Sequence, residues 1–227
     1  MTKMVENFSE DDIEAVEYLI LLILGKAGGR VSVLHLQKMF FLLWKFHPVV
    51  RQLVQFVPHF KGPYSQDLQD IIKNPTYVID CWTYVLPRRG SKVDKIVGGY
   101  VEITPKGWNV YKLLVKGLTE KAKEDKDALN IISAVDLIVP LYSKLNWDEL
   151  LFLIYTDETN KEFSTRSELS KEVLARADII VNRLVKKGVI TEDMKDALLE
   201  RAKRSKWIVS DNRSSADPVI IDVPRSS

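Results

Sequence analysis

The sequence predicts a mostly α-helical protein with one small β-hairpin, and three observations carry that reading. Apolar residues recur at helical spacing through most of the chain; Val33, Leu36, Met39, Phe40 and Leu43 share one helical face. Only two short runs, Cys81–Leu86 and Tyr100–Ile103, have the aromatic and β-branched make-up of strands. Hydrophobic residues are 46% and charged residues 28% of the 227, near the averages of soluble globular chains, which excludes a mostly disordered or collagen-like protein.

A first helix is expected from about Asp11 to Leu24, with acids in its opening turn, where the helix dipole favours them, and Gly25 placed to end it. Ser32 is the expected N-cap of a second helix reaching about Phe46. Phe41, Leu42 and Trp44 fill much of its remaining surface, so this helix should be central, and Pro48 prevents simple continuation. A third helix follows Lys61-Gly62-Pro63, capped either by Gly62 with Pro63 at N1 or by Ser65. Its buried stripe is Tyr64, Leu68, Ile71 and Ile72. The two strands then flank a basic, turn-rich loop, Pro87–Lys92. Three helices followed by a hairpin is the order of a winged helix-turn-helix.

Thr104-Pro105 reads as N-cap and N1 of a fourth helix, with Trp108, Tyr111 and Leu114 or Val115 inward. Lys116–Lys126 is expected to be a charged connector. Further helices are expected from about Ala128 to Tyr142, after Asn146, from a Thr165–Glu168 capping box to Lys187 with Gly188 as the stop, and from Thr191 to about Trp207. The expected organisation is a winged-helix-like part at 1–115, a helical part at 116–207 packed on it, and a flexible tail at 208–227 in which Val219–Ile221 could dock as a strand.

Charge is nearly balanced, 33 bases against 31 acids, so no global field draws the chain to nucleic acid or an anionic membrane. Residues 18–66 nevertheless hold no acid and carry Lys26, Arg30, Lys38, Lys45, Arg51, Lys61 and all three histidines. Either they present one basic surface, or the segment is buried and apolar with a few solvated lysines. The start lacks the basic-then-apolar order of a signal peptide, and the longest apolar run near it, Tyr18–Leu24, has seven residues, where a membrane span needs about 20. With Cys81 alone, no internal disulfide and no multi-cysteine zinc site can form, which fits a cytoplasmic protein.

Chemistry-bearing motifs are sparse. Gly25–Arg30 lacks the Lys-Ser/Thr pair of a phosphate loop and follows a helix, so it reads as an inter-helix loop. His35, His47 and His59 are each twelve apart, which is no single-element metal spacing. No nucleophile, base and oxyanion site can be assembled; no catalytic residue, metal or cofactor is expected. For nucleic acid, the outward face of the third helix would offer Gln66 and Gln69, but Asp67 and Asp70 there would repel phosphates. The cationic candidates are instead Arg88, Arg89, Lys92 and Lys95 on the wing, with a second basic cluster at Arg201, Lys203, Arg204 and Lys206.

Several short motifs together resemble one family. Leu36-Gln37-Lys38 in its apolar helix, then Gly62-Pro63-Tyr64-Ser65 opening a helix, then Ile103-Thr104-Pro105-Lys106-Gly107, then Leu150–Tyr155 with Ser164 downstream, are similar to motifs of the Panacea (SocA-like) antitoxin-domain family and its YwgA-like relatives. The resemblance covers about residues 15–175. It implies a non-enzymatic, mostly helical module used as an antitoxin, adaptor or regulator, with no catalytic residues to carry over. The expected partner is another protein, a toxin encoded nearby being one candidate, gripped around Lys61, Gly62, Pro63, Tyr64 and Gln66. Nucleic acid bound by the winged helix is the alternative, and a homodimer is compatible with both.

Overall fold

The structure, a computed structural model, describes residues 9–87 and 90–214. In chain order it comprises α1 (Glu10–Lys26), β1 (Arg30–Ser32), α2 (Val33–Phe46), α3 (Pro48–Leu53), β2 (Val57–His59), β3 (Gly62–Tyr64), α4 (Gln66–Lys73), β4 (Trp82–Val85), α5 (Lys92–Val97), β5 (Tyr100–Ile103) and α6 (Pro105–Lys121). There follow α7 (Lys126–Tyr142), α8 (Trp147–Tyr155), a 3-10 turn (Glu158–Asn160), α9 (Lys161–Thr165), α10 (Leu169–Leu174), α11 (Ala177–Lys186) and α12 (Glu192–Ser214). The fold is mostly α with a small antiparallel sheet, and the sequence marks most of its helix starts. Ser32, Ser65 and Thr104 each accept a hydrogen bond from the backbone N–H three residues on. Ser9 with Asp12 forms a reciprocal capping box, while at Asn146 only the returning half is made, its N–H donating to the Glu149 carboxylate.

β5 is the middle of a three-stranded antiparallel sheet, paired with β4 on one side and β1 on the other. Counting α1, α2 and α4, the order helix–strand–helix–helix–strand–strand is that of a winged helix. Two details differ from the sequence reading. The β4–β5 connection is no simple loop, because Ser91 caps α5 and Gly98, at φ 75°, ends it. And Gly62-Pro63-Tyr64 is strand β3, paired with β2 in a second hairpin, which leaves Ser65 as the cap of α4. Pro58 and Pro63 face each other there; with no N–H at either, they fit only the non-hydrogen-bonded position of the ladder.

The core centres on α2, where ten of fourteen residues are buried. It packs against α3, α7, α8, α5 and the sheet, and Phe41 meets Trp44, Phe56 and Phe163 ring to ring at 5.0–5.7 Å. One continuous apolar cluster runs from α1 and α2 through α7 and α8 to α11, and α6 runs unbroken through residue 115.

Several expected boundaries are corrected. Lys116–Lys121 continues α6, because Asp125, whose carboxylate accepts from the N–H groups of Asp127 and Ala128, starts α7 only four residues later. Thr165 does not open a helix; it ends α9, and its hydroxyl donates back to the Glu162 carbonyl. The stretch to Lys187 is broken into α10 and α11, and it starts only after Ser167 and Glu168, which are recruited by the Phe60 carbonyl: that oxygen accepts from the Ser167 hydroxyl and the Glu168 N–H. The last helix extends to Ser214, so residues 208–214 belong to α12 and not to a tail. Val219–Ile221 lie outside the described residues.

One buried carboxylate was not singled out from the sequence. Glu17 of α1 is fully buried and accepts three backbone hydrogen bonds, from Thr76 (2.5 Å), Tyr77 (2.8 Å) and Val78 (2.8 Å). It fixes the segment between α4 and β4, which has no secondary structure of its own. Glu17→Ala strands those donors in the interior. Loss of about 3 kcal/mol is expected in a denaturant titration, since each buried unsatisfied group costs about 1–3 kcal/mol and water recovers part. A loss under about 0.5 kcal/mol, the size of an ordinary surface change, would show that this segment does not depend on Glu17.

Candidate functional site

Three of the motifs that are remote in sequence meet at one place. The Gln37 side-chain amide donates to the Ser65 carbonyl (2.9 Å), and its oxygen accepts from the Ser65 N–H (3.0 Å). Lys38 Nζ donates to the Pro63 carbonyl (2.5 Å). The central helix thus clasps the Gly62–Ser65 segment through both polar residues of Leu36-Gln37-Lys38. Beneath it, Tyr155 of α8 lies against Gly62: a Cβ built there would sit 3.2 Å from the Tyr155 ring. The Tyr155 hydroxyl is hydrogen-bonded to Ser167 Oγ at 2.5 Å, and burial holds it protonated well above the usual tyrosine range. Ser167, then, is the partner of Tyr155, while Ser164, the serine singled out in sequence, only donates to the Lys161 carbonyl nearby. The Ile103–Gly107 motif stands apart: Gly107 lies so close to the Cys81 carbonyl that no Cβ fits between them.

Above the clasp lies a cleft of about 320 Å³, walled by α2, the β2–β3 hairpin, α4, the end of β4 and α5. Its polar lining is Gln37, Lys38, His59, Lys61, Gln69 and Lys73, with the Tyr64 and Tyr84 rings; no carboxylate lines it. Lys38 is 1% exposed, and among the described residues no acid lies within ion-pair distance of Lys38, Lys61 or Lys73. Burial, and secondarily the Lys61 charge, lower the Lys38 pKa from 10.5 to about 7. Burial also lowers Lys61, and it lowers His59 together with the charges of Lys38 and Lys61, against a smaller opposite pull from Glu168. The unfolded chain therefore binds more protons than the folded one between about pH 7 and 10.5. The Lys38 penalty is full below about pH 7 and fades as pH rises towards 10.5.

Of the expected partner-binding residues, Lys61 and Tyr64 line this cleft, whereas Gly62 and Pro63 are buried and do not line it. Gln66 is exposed but engaged, its oxygen accepting from Tyr64 (3.1 Å) and its amide donating to Asp70 (2.8 Å). Gln69 does not face outward: it is 7% exposed, lines the cleft, and its side-chain amide has no partner among the described residues. Of the wing cations, Arg88 and Arg89 lie outside the described residues. Lys92 and Lys95 sit on α5, not on a loop, and Lys92 pairs with Glu172 at 3.2 Å. In the second cluster, Lys203 pairs with Glu200 and Arg204 approaches Glu158 at 3.5 Å.

The acid-free stretch 18–66 does not present one basic surface, because other elements supply its acids. Lys26 pairs with Asp136, Arg30 with Glu102, and Lys45 with Asp157, while Arg51 donates to the carbonyls of Trp44 and Lys45. Lys38 and Lys61 likewise face carbonyls without an acid among the described residues, and of these cations Lys38 alone is fully buried. Nor is the segment simply apolar with solvated lysines, since Lys38 is among its most buried side chains. The histidines occupy three settings. His35 bridges Ser32 and the Leu145 carbonyl, His47 is buried, and His59 stacks on Tyr64. Among the described residues no group of three or more His, Cys, Asp or Glu is placed to hold a metal, and no helix is long and apolar enough to cross a membrane. Cys81 is buried, and burial raises its thiol pKa, which keeps it protonated and unreactive.

No protein-family model, no curated protein and no solved structure matches this chain.

Proposed function

We propose that the protein is a non-enzymatic, antitoxin- or adaptor-like interaction module of the cytoplasm, which grips a partner protein with the β2–β3 hairpin. One observation carries this reading: the hairpin turns two large apolar side chains outward beside a cation that has no acid partner among the described residues. Val57 is 54% exposed and Phe60 44% exposed, and Lys61 Nζ sits 5.2 Å from the Phe60 ring. An apolar patch with a cationic edge is the make-up of a protein-binding spot. The hairpin is also well anchored, through Lys38, Ser167 and Glu168, so its shape is set before a partner arrives. The meeting of the Gln37-Lys38, Gly62–Ser65 and Leu150–Tyr155 motifs at its base supports the family resemblance, since it gives these separated residues one shared structural job.

The alternative, a winged-helix nucleic-acid-binding regulator, is favoured by the exposed Lys92 and Lys95 on α5. It is disfavoured by α4, the helix that would enter a groove. That helix presents Asp67 and Asp70, its Gln66 is held by Tyr64 and Asp70, and its Gln69 is buried.

The test is co-expression of the tagged chain with the products of its flanking genes. One of them is expected to co-purify in fixed stoichiometry, and Phe60→Asp with Lys61→Glu should abolish the complex without lowering the melting temperature. A parallel anisotropy titration uses random duplex and the chain's own promoter. Weak binding is expected, with a log–log salt slope no steeper than about −4 even if four wing cations each met a phosphate. Nanomolar promoter binding at physiological salt, with no co-purifying protein, would replace this reading by the regulator.

A further inference from the structure

We propose that the cleft between α2, the β2–β3 hairpin, α4 and α5 is a binding site for a small ligand carrying an oxyanion, held by Lys38, Lys61 and the Gln69 amide. The inference goes beyond the hairpin's role in protein binding and concerns the cleft on its inner side.

Three independent features converge on it. The first is charge without compensation. A buried cation is normally paired, because taking an ammonium group out of water costs several kcal/mol. Lys38 is 1% exposed and meets a second lysine, Lys61, but no carboxylate. The second is unused donor capacity. An ammonium group has three donors. Lys38 uses one on the Pro63 carbonyl and Lys61 one on the Lys95 carbonyl, each at 2.5 Å, and neither makes a further bond among the described residues. The Gln69 amide, 7% exposed, makes none at all. The third is space and shape. About 320 Å³ is enough for a small molecule and far more than one ion needs. The remaining wall is apolar and aromatic, with Val33, Ile96, Val97, Tyr64 and Tyr84. The lining therefore suits a compact organic molecule whose charged end is a phosphate monoester or a carboxylate and whose remainder is apolar or flat.

The arrangement also ties occupancy to the proton. An oxyanion beside Lys38 favours its charged form, so binding takes up a proton wherever free Lys38 is neutral. The groups facing Lys38 are Lys61 and His59 of the hairpin and His35 of α2, and Glu168 acts on His59. His35 and His59, both with lowered pKa, are neutral through the range in which Lys38 titrates. Affinity should accordingly fall above about pH 7, by up to about tenfold per pH unit.

The experiment is calorimetric titration of the full chain, at constant ionic strength, with inorganic phosphate, adenosine monophosphate and succinate as probes. At least one probe is expected to bind with a dissociation constant in the micromolar to low millimolar range. Tighter binding of the monophosphate identifies a phosphate ester as the charged end, and tighter binding of succinate identifies a carboxylate; either result supports the site. Lys61→Met should weaken binding at least about tenfold and Gln69→Leu several-fold, while Lys38→Met should abolish the decline above pH 7. Should Lys38→Met fail to fold, Lys61→Met and Gln69→Leu, whose groups hold no buried clasp, decide the matter. No binding by any probe, or binding unchanged in both of those variants, overturns the proposal. Because no partner protein is present, the outcome is independent of whether the hairpin binds one.

Discussion

Phe40→Ala is expected to remove about 3–5 kcal/mol from the unfolding free energy, the usual range for truncating a fully buried phenylalanine. Phe40 is 0% exposed at the middle of α2, and the helix packs against α3, α5, α7, α8, β1 and β3. No neighbour is free to move in, since Leu36, Met39, Phe41 and Leu43 are themselves at or below 1% exposure. The cavity term should therefore be near its maximum, and the midpoint of a urea titration should fall with the slope unchanged. A loss under about 1 kcal/mol would show a site able to collapse, and would displace α2 from the centre of the core.

The position of α2 could be read in the sequence because its cause is local. Apolar residues occupy nearly every turn, and Ser32 supplies the cap. The same holds for the capped starts at Ser65, Thr104 and Asn146, and for the stop at Gly188, which adopts φ 67°. What escaped was set by distant segments. Strand β1 is three residues long and exists because β5, seventy positions away, pairs with it. Hairpin β2–β3 carries a proline in each strand, which reads as loop by any local rule. The break between α9 and α10 holds the bond from Ser167 to the Phe60 carbonyl, a contact across more than a hundred residues.

The candidate site was half legible for the same reason. Lys61, Gly62, Pro63 and Tyr64 stood out in the sequence, and Lys61 and Tyr64 do line the cleft. The burial of Lys38, itself part of the Leu36-Gln37-Lys38 motif, and of Gln69 was not legible, because a lysine in an apolar helix and a glutamine among acids both read as solvated. Their burial depends on the hairpin, which folds over α2 and makes the Pro63 and Ser65 backbone the partners of Lys38 and Gln37. The one local signal was the lack of any acid between residues 18 and 66, which leaves a lysine buried there without a neighbouring carboxylate.

Gly62→Val is expected to cost roughly 2–5 kcal/mol, from two separate sources. Gly62 has φ +83°, in the left-handed region that a β-branched side chain avoids, and holding valine there costs about 1–3 kcal/mol. The added side chain also meets Tyr155, whose ring would lie 3.2 Å from the new Cβ, and Tyr155 cannot yield freely because its hydroxyl is fixed to Ser167. Overpacking of this kind costs a further 1–3 kcal/mol or about that. Gly62→Ala isolates the effect of the branch: it carries the backbone strain and the same Cβ contact with Tyr155 but no γ-carbons, so it should lose less, about 1–3 kcal/mol. The functional consequence runs through the next residue. The Pro63 carbonyl is the acceptor for Lys38, so a hairpin displaced by Gly62→Val shifts the buried ammonium group and the cleft above it. Thermal melts of both variants check the ordering, and a wild-type melt for Gly62→Val would mean that the hairpin does not turn through a left-handed residue at this position.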